Sequence, residues 1–259
     1  MATAACPTVL VTRPAGEAGR WVDALRVAGI EAQALPLIEI AAQLPDAMAP
    51  LPPADAHDVL MFVSAAAVAH FFRLRPMQAA GLGTARCWCT GPGTAAALQA
   101  AGVPAGRIDT PPEAQARFDS EALWEQVETQ VRPGLRVLLV RGADAQGRPA
   151  GRDWMARRLA AAGAAVQTVA VYRRLAPQFD EAARRRAQAA AHDGRWWLFS
   201  SSEAVGNLRA ALPGQDWAGA RALATHDRIV EAARQAGFGR VEAVSPRLPE
   251  MVASIESLR

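Results

Sequence analysis

The sequence predicts an α/β fold of two lobes, each a doubly wound parallel sheet with helices on both faces. Three observations carry this. Short apolar runs alternate with helix-forming segments along the whole chain, the pattern of parallel strands joined by crossover helices. The pattern occurs twice in one order: Val9-Leu10-Val11-Thr12-Arg13 returns as Val137-Leu138-Leu139-Val140-Arg141, Phe62-Val63-Ser64 as Phe199-Ser200-Ser201, and Leu98 to Val103 as Ala233 to Phe238. The 259 residues suffice for two domains of ordinary size. Each repeated piece is an apolar run that ends in a small or polar residue and opens a helix. The strand-to-helix loops of a lobe therefore face one way, and two such lobes make a cleft.

Taken in order, Val9–Thr12 reads as a buried parallel strand, Gly16–Ala28 as the helix after it, stopped by Gly29, and Glu31–Leu35 as the next strand. Asp58–Val63 is a strand, Ala65–Leu74 a helix, Ala85–Cys89 a strand, Gly93–Ala101 a helix stopped by Gly102, and Arg107–Thr110 a short strand. Pro111-Pro112 breaks the chain, Ser120–Gln130 is helical, and Arg132-Pro133-Gly134 is a turn. The second copy opens with the strand Leu135–Val140 and a glycine-rich loop from Gly142 to Gly151. Then come the helix Arg152–Ala162, the strand Val166–Val171 and the helix Asp180–Ala191. Trp196–Phe199, Ala220–Leu223 and Val241–Val244 follow as strands, and Ser202–Leu212, Asp227–Ala236 and Pro249–Leu258 as helices.

Composition excludes several chemistries. All 28 basic residues are arginine, so a side-chain Schiff base and a phosphate loop ending in Gly-Lys are ruled out. The net charge of +3 is scattered and forms no basic stripe for nucleic acid. The Cys87-Trp88-Cys89 spacing is too close for a metal knuckle, no histidine pair stands nearby at ligand spacing, and the sparse set of Cys6, Cys87 and Cys89 fits a reduced compartment. Met1 to Pro7 lacks a signal-peptide pattern, and no apolar run reaches membrane-spanning length. The expectation is a soluble cytoplasmic protein with no metal, nucleic-acid or membrane partner.

In open parallel sheets, ligands bind beyond the carboxyl ends of the strands. The segments to watch are Thr12–Gly16, Ser64–Ala65, Thr90–Thr94, Arg141–Arg152, Ser200–Ser202 and Thr225–Asp227. Most offer hydroxyls, glycines or arginines just before a helix, where free N–H groups and the helix dipole attract anions. A ligand with many negative groups fits them.

Across most of the chain, Val11-Thr12-Arg13-Pro14, Phe62-Val63-Ser64, Gly91-Pro92-Gly93-Thr94-Ala95, Val140-Arg141-Gly142, Gly151-Arg152-Asp153, Val171-Tyr172-Arg173-Arg174 and Phe199-Ser200-Ser201 together resemble, in order and spacing, the uroporphyrinogen-III synthase family. The resemblance implies a cytoplasmic, monomeric lyase of heme and other tetrapyrrole biosynthesis that needs no cofactor. It would cyclise hydroxymethylbilane to uroporphyrinogen III, losing water and inverting ring D through a spiro intermediate. It implies two flavodoxin- or Rossmann-like lobes joined by extended crossings near Pro36–Ala41 and Thr168–Leu175, with residues 1–37 and 174–259 in one domain and 38–173 in the other. A plain split near Pro133 is the rival architecture.

The resemblance makes Tyr172, the only tyrosine of the chain, the first catalytic candidate; its phenol would hydrogen-bond or protonate the leaving hydroxyl. The plainer reading is an aromatic that packs in a core or hinge. Ser64 and Ser201 occupy equivalent places in the two copies, and with Ser200 they would bind substrate carboxylates or simply cap helices; Ser200 with Glu203 fits a capping box. Thr94 after Gly91 has the same two readings. Arg13, Arg141 and Arg152 present paired donors suited to carboxylates, although surface arginines are common in this chain. Thr225-His226 lies at the corresponding loop of the last third. His57, His70 and His192 read as loop or helix-surface residues, and Trp196-Trp197 as core. A two-lobed small-anion binding module without chemistry is the alternative function. A nucleotide-dependent transferase is a third, opposed by the missing G-x-G-x-x-G.

Overall fold

A computed structural model describes residues 8–43, 51–74, 79–112 and 117–258; Cys6 and the segment Met1 to Pro7 lie outside them. The chain divides into two compact units, residues 1–39 with 175–259 and residues 40–174.

The first unit contains β1 (Val9–Val11), α1 (Ala15–Val27) and β2 (Ala32–Ala34) from the start of the chain. From its end come α6 (Glu181–Ala190), β9 (Trp196–Phe199), α7 (Ser202–Ala211), β10 (Arg221–Ala224), α8 (Asp227–Gln235), β11 (Arg240–Ala243) and α9 (Leu248–Glu256). The strands pair in the order β2-β1-β9-β10-β11, all parallel. Both faces of the sheet are covered, which explains why its inner strands β1 and β9 are apolar throughout and do not alternate. On one face Val9, Val11, Trp196, Leu198 and Leu223 pack with Val22, Leu25, Met251 and Ile255 of α1 and α9. On the other, Trp197 stacks on Phe199 and meets Trp217 and Phe238 edge-on, while its indole N–H donates to the Ala190 carbonyl at 3.1 Å. At the exposed edge of β2, Arg26 donates to the Ala32 carbonyl and Arg186 to that of Ala34, which blunts the edge against further pairing.

The second unit comprises β3 (Glu39–Ala42), β4 (Val59–Phe62), α2 (Ala65–Leu74), β5 (Arg86–Cys89), α3 (Pro92–Ala100), β6 (Ile108–Asp109), α4 (Ser120–Val127), β7 (Arg136–Ala143), α5 (Trp154–Ala161) and β8 (Ala165–Leu175). Its sheet runs β3-β8-β7-β4-β5-β6. Leu60, Phe62, Cys87, Cys89, Leu138 and Val140 face α2 and α3 on one side. Val59, Met61, Trp88, Val137 and Leu139 face α4 and α5 on the other.

The two sequence copies are exchanged between the sheets. The first copy supplies β1 and β2 to one sheet and β3, β4, β5 and β6 to the other; the second supplies β7 and β8 to the latter and β9, β10 and β11 to the former. Neither copy builds a sheet alone, so the sheets do not follow the split near Pro133.

Several boundaries differ from the sequence reading. The strand β7 runs on to Ala143, so Arg141, placed beyond the strand by the sequence reading, and Gly142, placed at the start of the glycine-rich loop, both belong to a ladder. The reason is β8, eleven residues long, which continues far enough to pair with them. Ser120–Gln130 breaks into α4 and a 3-10 turn over Glu128–Gln130.

Candidate active site

At the carboxyl edge of the second sheet, the end of β4 delivers Ser64, the end of β7 delivers Gly142, and β8 delivers Tyr172. Ser64 precedes α2, and its Oγ accepts the Ala67 N–H at 3.1 Å, an N-cap. The same Oγ lies 3.1 Å from the Tyr172 hydroxyl, so one atom both closes the helix and holds the phenol. Tyr172 is 4% exposed and packs in the α2/α3 core. Its hydroxyl therefore meets a polar partner at the sheet edge while its ring is dry, the usual division of a buried tyrosine.

A one-residue irregularity in β8 places the ring there. Arg141 pairs with Ala170 but Gly142 pairs with Tyr172, leaving Val171 as the extra residue of a bulge. Val171 and Tyr172, adjacent in sequence, consequently both enter the same core cluster, where a regular strand would send them to opposite faces. His70 of α2 lies against the phenol with ring centroids 5.7 Å apart. It is 7% exposed, which corrects its assignment to the helix surface, and burial, with Arg73 nearby, lowers its pKa. His57 is likewise buried, bonded to the Pro53 carbonyl at 2.9 Å and to Gln167 at 3.2 Å.

On the opposite face of β7, Arg141 is 4% exposed. One terminal nitrogen donates to Asp153 at 2.7 Å and the other to the Arg152 carbonyl at 3.2 Å. Its two terminal nitrogens are thus engaged by its own loop, where the sequence reading aimed them at substrate carboxylates. The loop is held elsewhere too: Ala143 bridges Pro149, Asp144 accepts from the Gln146 and Arg148 backbones, and Gln43 donates to the Gly147 carbonyl. Arg152 is paired with Glu121. Thr94 is buried in the first turn of α3, with its N–H on the Gly91 carbonyl at 3.1 Å, and Gly91 lies against Phe118.

The remaining candidates belong to the first unit. Arg13 pairs with Glu17 at 3.0 Å and stacks over Trp21 at 4.4 Å. Burial lowers its pKa, with Glu17 opposing the shift. Thr12 is turned inward and donates to the Leu198 carbonyl at 2.7 Å. Ser201, and not Ser200, is the N-cap of α7, accepting the Glu203 N–H at 3.2 Å. Thr225 follows β10, its N–H on the Phe199 carbonyl, and His226 caps α8. The structure thus joins Tyr172 to Ser64 and Arg141 to the Arg152 backbone. Sequence reasoning named Gly142, His70 and Asp153 but gave none of them a role in the site. A glycine continuing the inward row Leu138, Val140 was the available signal for the first, since glycine within a strand marks a bulge or a close approach.

Comparison with known proteins decides the family. A family model described as uroporphyrinogen-III synthase HemD matches residues 19–253. The chain belongs to the uroporphyrinogen-III synthase family. Among solved structures, the synthase fold is shared with the Helicobacter pylori uroporphyrinogen-III synthetase at 13% identity and a TM-score of 0.61, covering 98% of this chain and 100% of that one. It is also shared with a mutant uroporphyrinogen III synthase from Thermus thermophilus, at 16% identity and a TM-score of 0.53, covering 97% and 98%. None of the curated protein sequences matches the chain. As a synthase of this family it is an enzyme of cyclisation in heme and tetrapyrrole biosynthesis. No helix among the described residues is long and apolar enough to cross a membrane.

Proposed function

We propose that this chain is a lyase that converts hydroxymethylbilane to uroporphyrinogen III, with Tyr172 acting on the leaving hydroxyl. The observation that carries the reading is the sole tyrosine, buried at the carboxyl edge of the second sheet with its hydroxyl on Ser64. The substrate brings its own driving force. Its hydroxymethyl group, attached to an electron-rich pyrrole, departs as water and leaves an azafulvene. The substituted carbon of ring D attacks that centre to give a spiro intermediate, which fragments and recloses with the ring reversed. One water is lost overall, and the step calls for no cofactor because the substrate supplies both electrophile and nucleophile.

What the protein adds is position and dryness. Tyr172 donates a hydrogen bond to the departing hydroxyl, and Ser64 fixes the direction of the phenol. Each unit offers anion-binding loops to the eight carboxylates: Ser64, Gly91, Thr94, Arg141 and Arg152 in the second, and Arg13, Ser200, Ser201 and Thr225 in the first. In this reading Arg141 acts through the loop it holds and Arg152 through its exposed guanidinium. The working domains are residues 1–37 with 174–259 and residues 38–173, and the enzyme is a cytoplasmic monomer. The test is to supply enzymatically generated hydroxymethylbilane, oxidise the products and separate the type I and type III uroporphyrins, with Tyr172→Phe alongside. Type III above the protein-free control, reduced in the variant, is the expected result. Type I alone from folded protein overturns the reading.

A further inference from the structure

We infer that Gly142 is a positioning residue for the cyclisation: together with the bulge at Val171 it forms the slot that sets the Tyr172 phenol against Ser64. The inference rests on the reading of Tyr172 above. Leu138 and Val140 of β7 point into the α2/α3 core, and the two-residue period carries position 142 to the same face. A Cβ there would lie 2.6 Å from both Cε2 and Cζ of Tyr172 and 3.0 Å from its hydroxyl oxygen. Gly142 does not occupy the left-handed region of backbone space, so what it supplies is room and not conformational freedom. The clash falls on the phenolic end of the ring, whose oxygen makes the 3.1 Å contact with Ser64. Optimal carbon contacts lie near 3.5–4.0 Å, so a methyl at 142 drives that end away by about 1 Å. Retreat is restricted, because the buried His70 ring packs against the same phenol. The bulge is the complementary half of the device, since without it Val171 would oppose Gly142 and Tyr172 would leave this face.

A chain with one tyrosine reports on it directly. Protein carrying carbon-13 tyrosine shows a single set of ring resonances. In Gly142→Ala these shift, and kcat for type III formation falls by roughly 10²-fold, the loss a misplacement of about 1 Å can cause, while KM changes little. Added to Tyr172→Phe, Gly142→Ala lowers turnover no further. Unshifted ring resonances overturn the inference, and so do shifted resonances with unchanged kcat. If Gly142→Ala does not fold, the same change in a Tyr172→Leu background, which withdraws the side chain from the slot, folds; failure there too means that something other than the phenol rejects the methyl, and the inference falls. A parent protein that yields only type I product overturns both the functional reading and this role, while the ring shift reports separately on the slot.

Discussion

Ser64 and Tyr172 should be energetically coupled, and the sign of the coupling follows from the hydrogen bonds each keeps when the other is removed. Ser64→Ala removes the acceptor of the Ala67 N–H, an N-cap worth about 1 kcal/mol. It also strands the hydroxyl of a tyrosine that is 4% exposed, which costs about 1–3 kcal/mol for an unsatisfied buried polar group. The total is about 2–4 kcal/mol. Tyr172→Phe removes one hydrogen bond but leaves Ser64 still capping α2 and only half-buried, within reach of water, so its cost is about 0.5–1.5 kcal/mol. In the double variant the cap is lost but no phenol is left stranded. Its cost is that of the cap alone, about 1 kcal/mol, below the sum of the single costs by at least 1 kcal/mol. Urea denaturation of the four proteins measures the cycle. With a slope of about 2 kcal/mol per molar, Ser64→Ala lowers the midpoint of the affected transition by about 1 M or more. Additivity within about 0.5 kcal/mol, or a Tyr172→Phe cost larger than that of Ser64→Ala, would refute the argument.

Arg141→Met should loosen the loop between Gly142 and Asp153 at about 1–3 kcal/mol, since two donors disappear while the exposed Asp153 carboxylate regains water; hydrogen exchange of those amides reads it. The Arg136 side chain and backbone N–H hold the Asp58 carboxyl down at about 2, below its unfolded value. Its contribution to stability is therefore complete above about pH 4 and is lost as pH falls toward 2, so Asp58→Asn flattens the stability profile in that window, modestly because the ion pair is exposed. Burial raises the Cys87 thiol to about 12 and pushes Cys89 up as well. In a Cys6→Ser protein a thiol reagent at pH 8 should label neither until the chain unfolds. Residues 40–174 expressed alone should fold cooperatively, whereas residues 134–259, which hold no whole sheet, should not; circular dichroism during urea titration distinguishes them.

Strand and helix order was legible because most strands are buried on both faces and so appear as unbroken apolar runs between turn residues. Trp196–Phe199 and the helix Ala65–Leu74 show how well that signal locates an element. It fails where burial is partial. Glu39–Ala42 is half-exposed and pairs only at the sheet edge, so nothing in its composition marks a strand. The end of β7 was misplaced because Arg141 and Gly142 carry loop chemistry; only the length of β8, a tertiary fact, makes them strand residues. His70 was within reach of sequence reasoning. It lies three residues after Ala67 and beside Phe71 on the buried stripe of α2, and the helical period should have outweighed the polarity of imidazole.

Equivalent residues of the two copies show why a serine–tyrosine pair forms at the edge of the second sheet. Arg13 and Arg141 follow matching apolar strands, Val9–Val11 and Val137–Leu139. The first strand ends after three residues, so Arg13 emerges from the sheet onto Trp21 and Glu17. The second runs eight residues beside a neighbour of eleven, so Arg141 stays in the ladder, turns inward and ties down the loop that follows. The extra length also creates position 142, and the bulge opposite it turns a tyrosine into the space a glycine leaves. In the first sheet β1 stops before such a position exists, and the matching serine, Ser201, caps α7. Strand length, set by how far β8 continues, therefore separates the copy of the motif that ends at Val11 from the one that carries the tyrosine.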